Sequence, residues 1–281
     1  MDKKKKKTII AIVVILLIVI DLGVMLYPKI SAYVNEQSQT RAVVQYFDDV
    51  EAIGSENMKK LLNEAHDYNK ALLSKTNRFN MSDDELAEYN RQLDTGRGVI
   101  GTLMVDKIDV KLPIYHGTNE SVLQIGLGHM PGTSLPVGGA GTHAFITGHR
   151  GLPSSILLTD LDKMEIGDTF ALYVMGETLT YQVDNIQTVE PHEAEALDID
   201  PDMDYCTLVT CTPYGINTHR LLVRGQRIEN DSNDGWDAMY MEARLLDKTK
   251  VALAVIALSI PVLIVYIIIK SRKINKGGIV Q

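Results

Sequence analysis

The chain holds two cysteines, Cys206 and Cys211, five residues apart in YCTLVTC. A run so rich in β-branched residues predicts a strand. Five strand steps set the two backbones about 16 Å apart, and the odd spacing turns the side chains to opposite faces. A disulfide needs Cα atoms about 4.4–6.8 Å apart, so both thiols are predicted to be free. A free cysteine is most often a small, buried, inert residue. It becomes a nucleophile where a neighbouring group favours the thiolate. The stretch TLVTCTPYGINTHRLLVRGQR, Thr207 to Arg227, offers such a neighbour. It reads as strand, loop, strand, with Cys211 closing the first strand and Arg220 opening the second. Opposite residues of an antiparallel pair lie about 4.5–5.5 Å apart. A permanently charged guanidinium at that distance favours a thiolate or holds an oxyanion.

A thiol nucleophile also needs a proton-transfer partner, and seven histidines compete: His66, His116, His129, His143, His149, His192 and His219. His149 sits in FITGHRGLP, just past an apolar strand and flanked by glycines, where strand ends commonly present site residues. His143 starts the same strand and reads as structural. His219 adjoins Arg220, and spacing alone leaves it open. A metal reading is poor, because the chain has no HExxH and no paired cysteine ligands. The chemistry asks for no organic cofactor.

The elements that would position these residues follow from periodicity. Between 31 and 75, Val43, Phe47 and Val50, then Met58, Leu61, Leu62, Ala65 and Leu72, recur at three- and four-residue steps, predicting one or two amphipathic helices. Residues 76–97 read as a polar connector, turn-rich and then weakly helical. From Val99 the pattern changes to short β-rich runs: VIGTLMV, VKLPIY, HAFITGH, TFALYVM, TLTYQVDNIQTVE, CTLVTC and HRLLVRGQRI. Gly- and Pro-bearing turns separate them, so 99–228 is expected to be a mainly β domain closed into a barrel. A short helix is expected from Glu120 to Ile125.

Two apolar runs flank this region, Thr8–Tyr27 and Val251–Ile269. Each is roughly 28–30 Å long as a helix, about one hydrocarbon core. Lys3 to Lys7 precede the first, and Lys270, Arg272, Lys273 and Lys276 follow the second, which predicts cytoplasmic termini and an extracellular segment between. Lys248 and Lys250 oppose this weakly. The first run is read as an uncleaved anchor, since no small-x-small cleavage site precedes Pro28. The chain then divides into a basic segment (1–7), a span (8–27), a helical region with a possible lid connector (28–98), the barrel (99–228), a juxtamembrane segment (229–250), a second span (251–269) and a cytoplasmic tail (270–281). Trp236 and Tyr240 suit an interfacial helix or a simple spacer. The chain carries 36 acidic against 28 basic residues. Nine of the basic residues lie outside the two apolar runs and nearly all of the acidic ones lie between them, so the middle is more acidic still and a poor nucleic-acid binder.

TLVTCTPYGINTHRLLVRG and ITGHRGLP resemble the signature segments of sortases, above all class C, the pilin-polymerising sortases of Gram-positive bacteria. KLPIYHGT, GTSLPVGG and LLTDLDKMEIGD are similar to that class as well. The resemblance covers roughly 99–228. It implies an eight-stranded barrel, Cys211 as nucleophile, His149 as acid/base and Arg220 as the substrate-positioning or oxyanion residue. It implies substrates that are pilins or surface proteins with an LPxTG-like sorting signal, held at the membrane, and a pilin lysine as acceptor. Attachment of surface proteins to cell-wall peptide is the alternative, and a catalytically silent scaffold on the same fold a third reading. Pilin sortases often carry an Asp-Pro-aromatic lid. Here Asn77-Arg78-Phe79 stands near the expected place, so Phe79 is the possible lid residue, with no aspartate beside it to anchor to Arg220.

Overall fold

The computed structural model describes residues 3–230 apart from 153, 154, 192 and 194–197, with side chains from Ile12 onward. The second span, Trp236 and Tyr240, and the tail lie outside the described residues.

The first helix, α1, runs from Lys3 to Ile53 through Pro28. The apolar run and the first amphipathic segment are therefore one helix, not two elements meeting at residue 28. Its N-terminal part is long and apolar enough to cross a membrane, and none of it is buried against the protein. Further along, Val43, Tyr46 and Val50 are buried at helical spacing. Gly54 breaks the helix with a positive φ of 79°, and α2 follows, Ser55–Leu73. The connector holds one more helix, α3, Asp83–Tyr89. The Ser82 hydroxyl accepts from Glu85 N–H while the Glu85 carboxylate accepts from Ser82 N–H. This reciprocal cap satisfies two otherwise orphaned donors.

Eight strands close the barrel: β1 Val99–Val105, β2 Val110–His116, β3 Leu127–His129, β4 Thr142–Thr147, β5 Thr169–Val174, β6 Glu177–Val189, β7 Asp204–Thr212 and β8 His219–Arg227. The short helix α4, Glu120–Leu123, bridges β2 and β3. The order around the barrel is β1-β2-β3-β4-β7-β8-β6-β5. Seven of the strands match the apolar runs in the sequence. The eighth, β3, has only three residues, LGH, too few to show alternation.

Two neighbouring pairs are parallel, β2 with β3 and β4 with β7. Parallel strands need a crossover connection. The β5–β6 hairpin supplies the one between β4 and β7, and so two strands about 60 residues apart in sequence lie side by side. Interior positions such as Ile146, Cys206, Leu208 and Val223 join the main core. A second, small apolar cluster lies on the other side of the same strands: Phe145, Val209 and Leu222, with Met130 and Val189 against them.

The helices are pinned to the barrel by buried polar contacts. Tyr46 donates its hydroxyl to Ile100 C=O at 3.0 Å and accepts from Met175 N–H at 3.0 Å. Asn69 on α2 makes a two-way pair with the Leu135 backbone. Gln39 on α1 donates to Ser155 Oγ at 3.0 Å, beside the segment that follows His149.

Candidate active site

Cys211 and Arg220 stand directly opposite each other in the β7–β8 pair. Side chains alternate faces along a strand. Cys211 lies two residues past Val209 and Arg220 two before Leu222, so both share the outer face with the small apolar cluster. Cys206, at odd spacing, points into the barrel and is fully buried, which pushes its thiol well above the usual range. Both cysteines are free, and Cys211 is half-buried.

His149 comes from the neighbouring parallel strand. Thr147 of β4 is in register with Val209. Gly148 N–H donates to Val209 C=O at 3.0 Å, and Thr210 Oγ1 donates to Gly148 C=O at 2.8 Å. One step further, Arg150 Nη1 donates to Thr212 Oγ1 at 3.2 Å. These contacts bracket the pair between them, so His149 is level with Cys211 at the end of the two strands. Gly148 fits closely there, since a Cβ would come within 2.6 Å of the Leu127 side chain.

The arrangement therefore sets a thiol, an imidazole and a guanidinium on three adjacent strand ends. A Sortase domain profile matches residues 103–228. The solved structure of sortase C1 from Streptococcus agalactiae is 49% identical, is covered over 100% of its length by 68% of this chain, and superposes with a TM-score of 0.66. The chain belongs to the sortase family. The Sortase C structure from Streptococcus pneumoniae is also similar, at 42% identity, 68% coverage of this chain and 97% of that one, with a TM-score of 0.62. These two bear out the class C resemblance. The curated Sortase A from Streptococcus agalactiae is 30% identical over 131 residues, 46% of this chain. The match spans about half, 52%, of that protein's length.

In this sortase three of the other histidines, His143, His219 and His129, sit elsewhere. His143 is buried at the start of β4, with Nδ1 donating to Asp198 C=O and Nε2 accepting from Thr207 Oγ1, both at 2.7 Å. Burial pushes its pKa down to about 4. Both nitrogens are engaged, which fits the structural reading. His219 pairs with Thr212 across the strands, and parity turns it to the opposite face from Cys211. His129 is fully buried, bonded to Tyr89 and Ser134, and burial likewise lowers it to about 4.

The loop after His149 is tied back on itself. Leu158 N–H donates to His149 C=O at 3.3 Å, and Arg150 Nε donates to Thr159 C=O at 3.1 Å. Arg150 also pairs with Asp162 and lies 5.9 Å from the Tyr214 ring centre. Sequence reading did not single out Arg150, whose partners lie 9, 12 and 62 residues away. Arg220 Nη1 donates to the carbonyls of Asn217 and His219, at 3.3 and 3.1 Å.

Phe79 is placed against Gly132, in the turn after β3, and its ring carries the Arg78 guanidinium at 4.9 Å. Arg78 lies 3.9 Å from Asp198. The outer face continues beyond the apolar cluster into a cleft of about 560 Å³, lined by His143, Tyr205, Thr207, Leu222 and Arg224 among others. Among the described residues, no group of three or more His, Cys, Asp or Glu is placed to hold a metal ion.

Proposed function

We propose that this sortase is a membrane-anchored extracellular cysteine transpeptidase that cleaves an LPxTG-like sorting signal and joins the new acyl end to a pilin lysine. The observation that carries the reading is the direct opposition of Cys211 and Arg220 with His149 level beside them.

Cys211 is the nucleophile. Its sulfur attacks the Thr carbonyl carbon of the signal, and the carbonyl oxygen gains negative charge. Arg220 faces that charge; one oxyanion donor contributes on the order of 10²–10³ in rate. The Thr–Gly amide breaks as His149 gives a proton to the departing glycine amine. The product is a thioester on Cys211. An incoming amine then attacks the thioester carbonyl, His149 takes up its proton, and the thiolate leaves. One amide is exchanged for another, so the reaction needs no external energy source. The apolar cluster and the cleft beyond it offer an extended peptide a floor of alternating character.

The identity to sortase C structures favours a pilin lysine as acceptor, and the curated Sortase A relatives favour cell-wall peptide as the competing one. Anchoring is supported by the apolar start of α1 and by the second apolar run at 251–269. This topology puts both termini inside and the barrel outside.

The test is mass spectrometry of the full chain incubated with a sorting-signal peptide. An adduct on Cys211 with loss of the glycine-containing product supports the reading. No adduct, or one on another residue, refutes it. Offering a pilin lysine peptide and a wall-peptide amine together then tells which acceptor is joined.

A further inference from the structure

We propose that Glu120 is a positioning residue for His149: its carboxylate orients the imidazole through Nε2 and leaves Nδ1 to exchange protons with the thiol and the amine. The inference rests on the reading of His149 as the acid/base.

Glu120 Oε2 lies 3.4 Å from His149 Nε2. That nitrogen is otherwise buried without an aligned hydrogen bond. The distance is an ion-pair distance, longer than a good hydrogen bond. Acid/base contacts of this kind are often loose before substrate binds and tighten in the complex.

The carboxylate is held in place. Its other oxygen accepts from Gln124 Nε2, one turn along α4. The Asn119 side chain caps α4 by accepting from Val122 N–H at 3.1 Å. Against β3, Gly128 makes room for this connection, since a Cβ there would come within 2.2 Å of Gly117 O and 3.2 Å of the Leu123 side chain. Because β3 pairs with β4, α4 is fixed beside the strand end that carries His149. His149 in turn helps hold the Glu120 carboxylate below its ordinary range, after Gln124.

Among the described residues, the ionisable groups on the neighbouring elements include His116 at the end of β2, His129 on β3, Cys211 on β7, Arg220 and His219 on β8, and Arg150 next in the chain. Arg150 is occupied by Asp162, and His219 by Thr218. Among the described residues, Glu120 is thus the carboxylate paired with the imidazole. A carboxylate on one ring nitrogen fixes the tautomer and favours the imidazolium, the form that protonates the leaving amine.

The test uses the full chain in detergent micelles and a sorting-signal peptide, with E120Q, Q124M and H149A compared. E120Q is expected to lower kcat about 10-fold with little change in KM, a milder loss than for a buried triad carboxylate because Glu120 is exposed. It is expected to move the limb of the pH–rate profile that reports the imidazole to lower pH. Q124M, which frees the carboxylate without touching the imidazole, gives a smaller shift of the same sign. Raising the salt moves the parent's limb in that direction and leaves the limb of E120Q in place. A parent-like limb in E120Q overturns the inference, while loss of acylation in H149A keeps the underlying reading. Normal acylation in H149A removes that reading instead.

Discussion

The two cysteines of this sortase differ in one physical respect, the face of β7 they occupy, and that difference predicts opposite phenotypes. Cys211→Ala is expected to abolish the acyl-enzyme seen by mass spectrometry. Cys206→Ala empties a small volume inside the barrel, so it should lower stability by about 1 kcal/mol in urea melts and leave acylation intact. Arg220→Lys keeps the charge and loses the planar fork, so turnover should fall by about 10²–10³-fold. Near-normal turnover in Arg220→Lys would remove the guanidinium from the chemistry.

Between residue and fold stand the elements that hold the site, and two buried histidines tie them together. His143 and His129 both have folded-state values near 4, against about 6.5 for an unfolded chain. The folded form therefore excludes protons that the unfolded form accepts as pH falls from about 6.5 to 4. The stability this contributes is complete above the unfolded value and is lost across that window, on the order of 3 kcal/mol for each histidine. Urea midpoints measured at pH 7, 5.5 and 4.5 should fall steadily, and His143→Gln should flatten part of the slope. On the helical side, Tyr46→Phe removes two hydrogen bonds between α1 and the barrel and leaves a buried Met175 N–H unpaired. The expected cost is about 2 kcal/mol, read as a lower urea midpoint.

At the scale of the whole molecule, α1 is a single rod from the apolar run to the barrel wall. The rise from Pro28 to Gln39, the residue bonded to Ser155, is roughly 17 Å. On the proposed anchoring, this length sets how far the thiol stands from the membrane surface, and one plane shared with the substrate raises the effective concentration. A flexible Gly-Ser insertion between residues 29 and 35 is then expected to leave acylation by a soluble peptide unchanged. It should slow transfer from a substrate anchored in the same vesicle. Equal loss in both assays would count against the rod as a spacer.

Periodicity and turn chemistry made much of this protein legible in advance. The β-branched runs marked seven strands. The five-residue cysteine spacing ruled out a disulfide, and the strand–loop–strand stretch put Cys211 across from Arg220. All of these depend on contacts within a few residues or on one hairpin. The three-residue β3 carried too little pattern to be seen. The merging of the apolar run with the amphipathic helix was hidden because the sequence shows where the apolar run ends but not whether the backbone continues. Spacing left the histidine open, the resemblance to sortases implied His149, and the tertiary structure sets that residue level with Cys211. His149 meets Cys211 through a parallel pair whose crossover spans two further strands, and Glu120 reaches His149 across 29 residues. No local periodicity records such a pairing; only closure of the barrel brings those strand ends level.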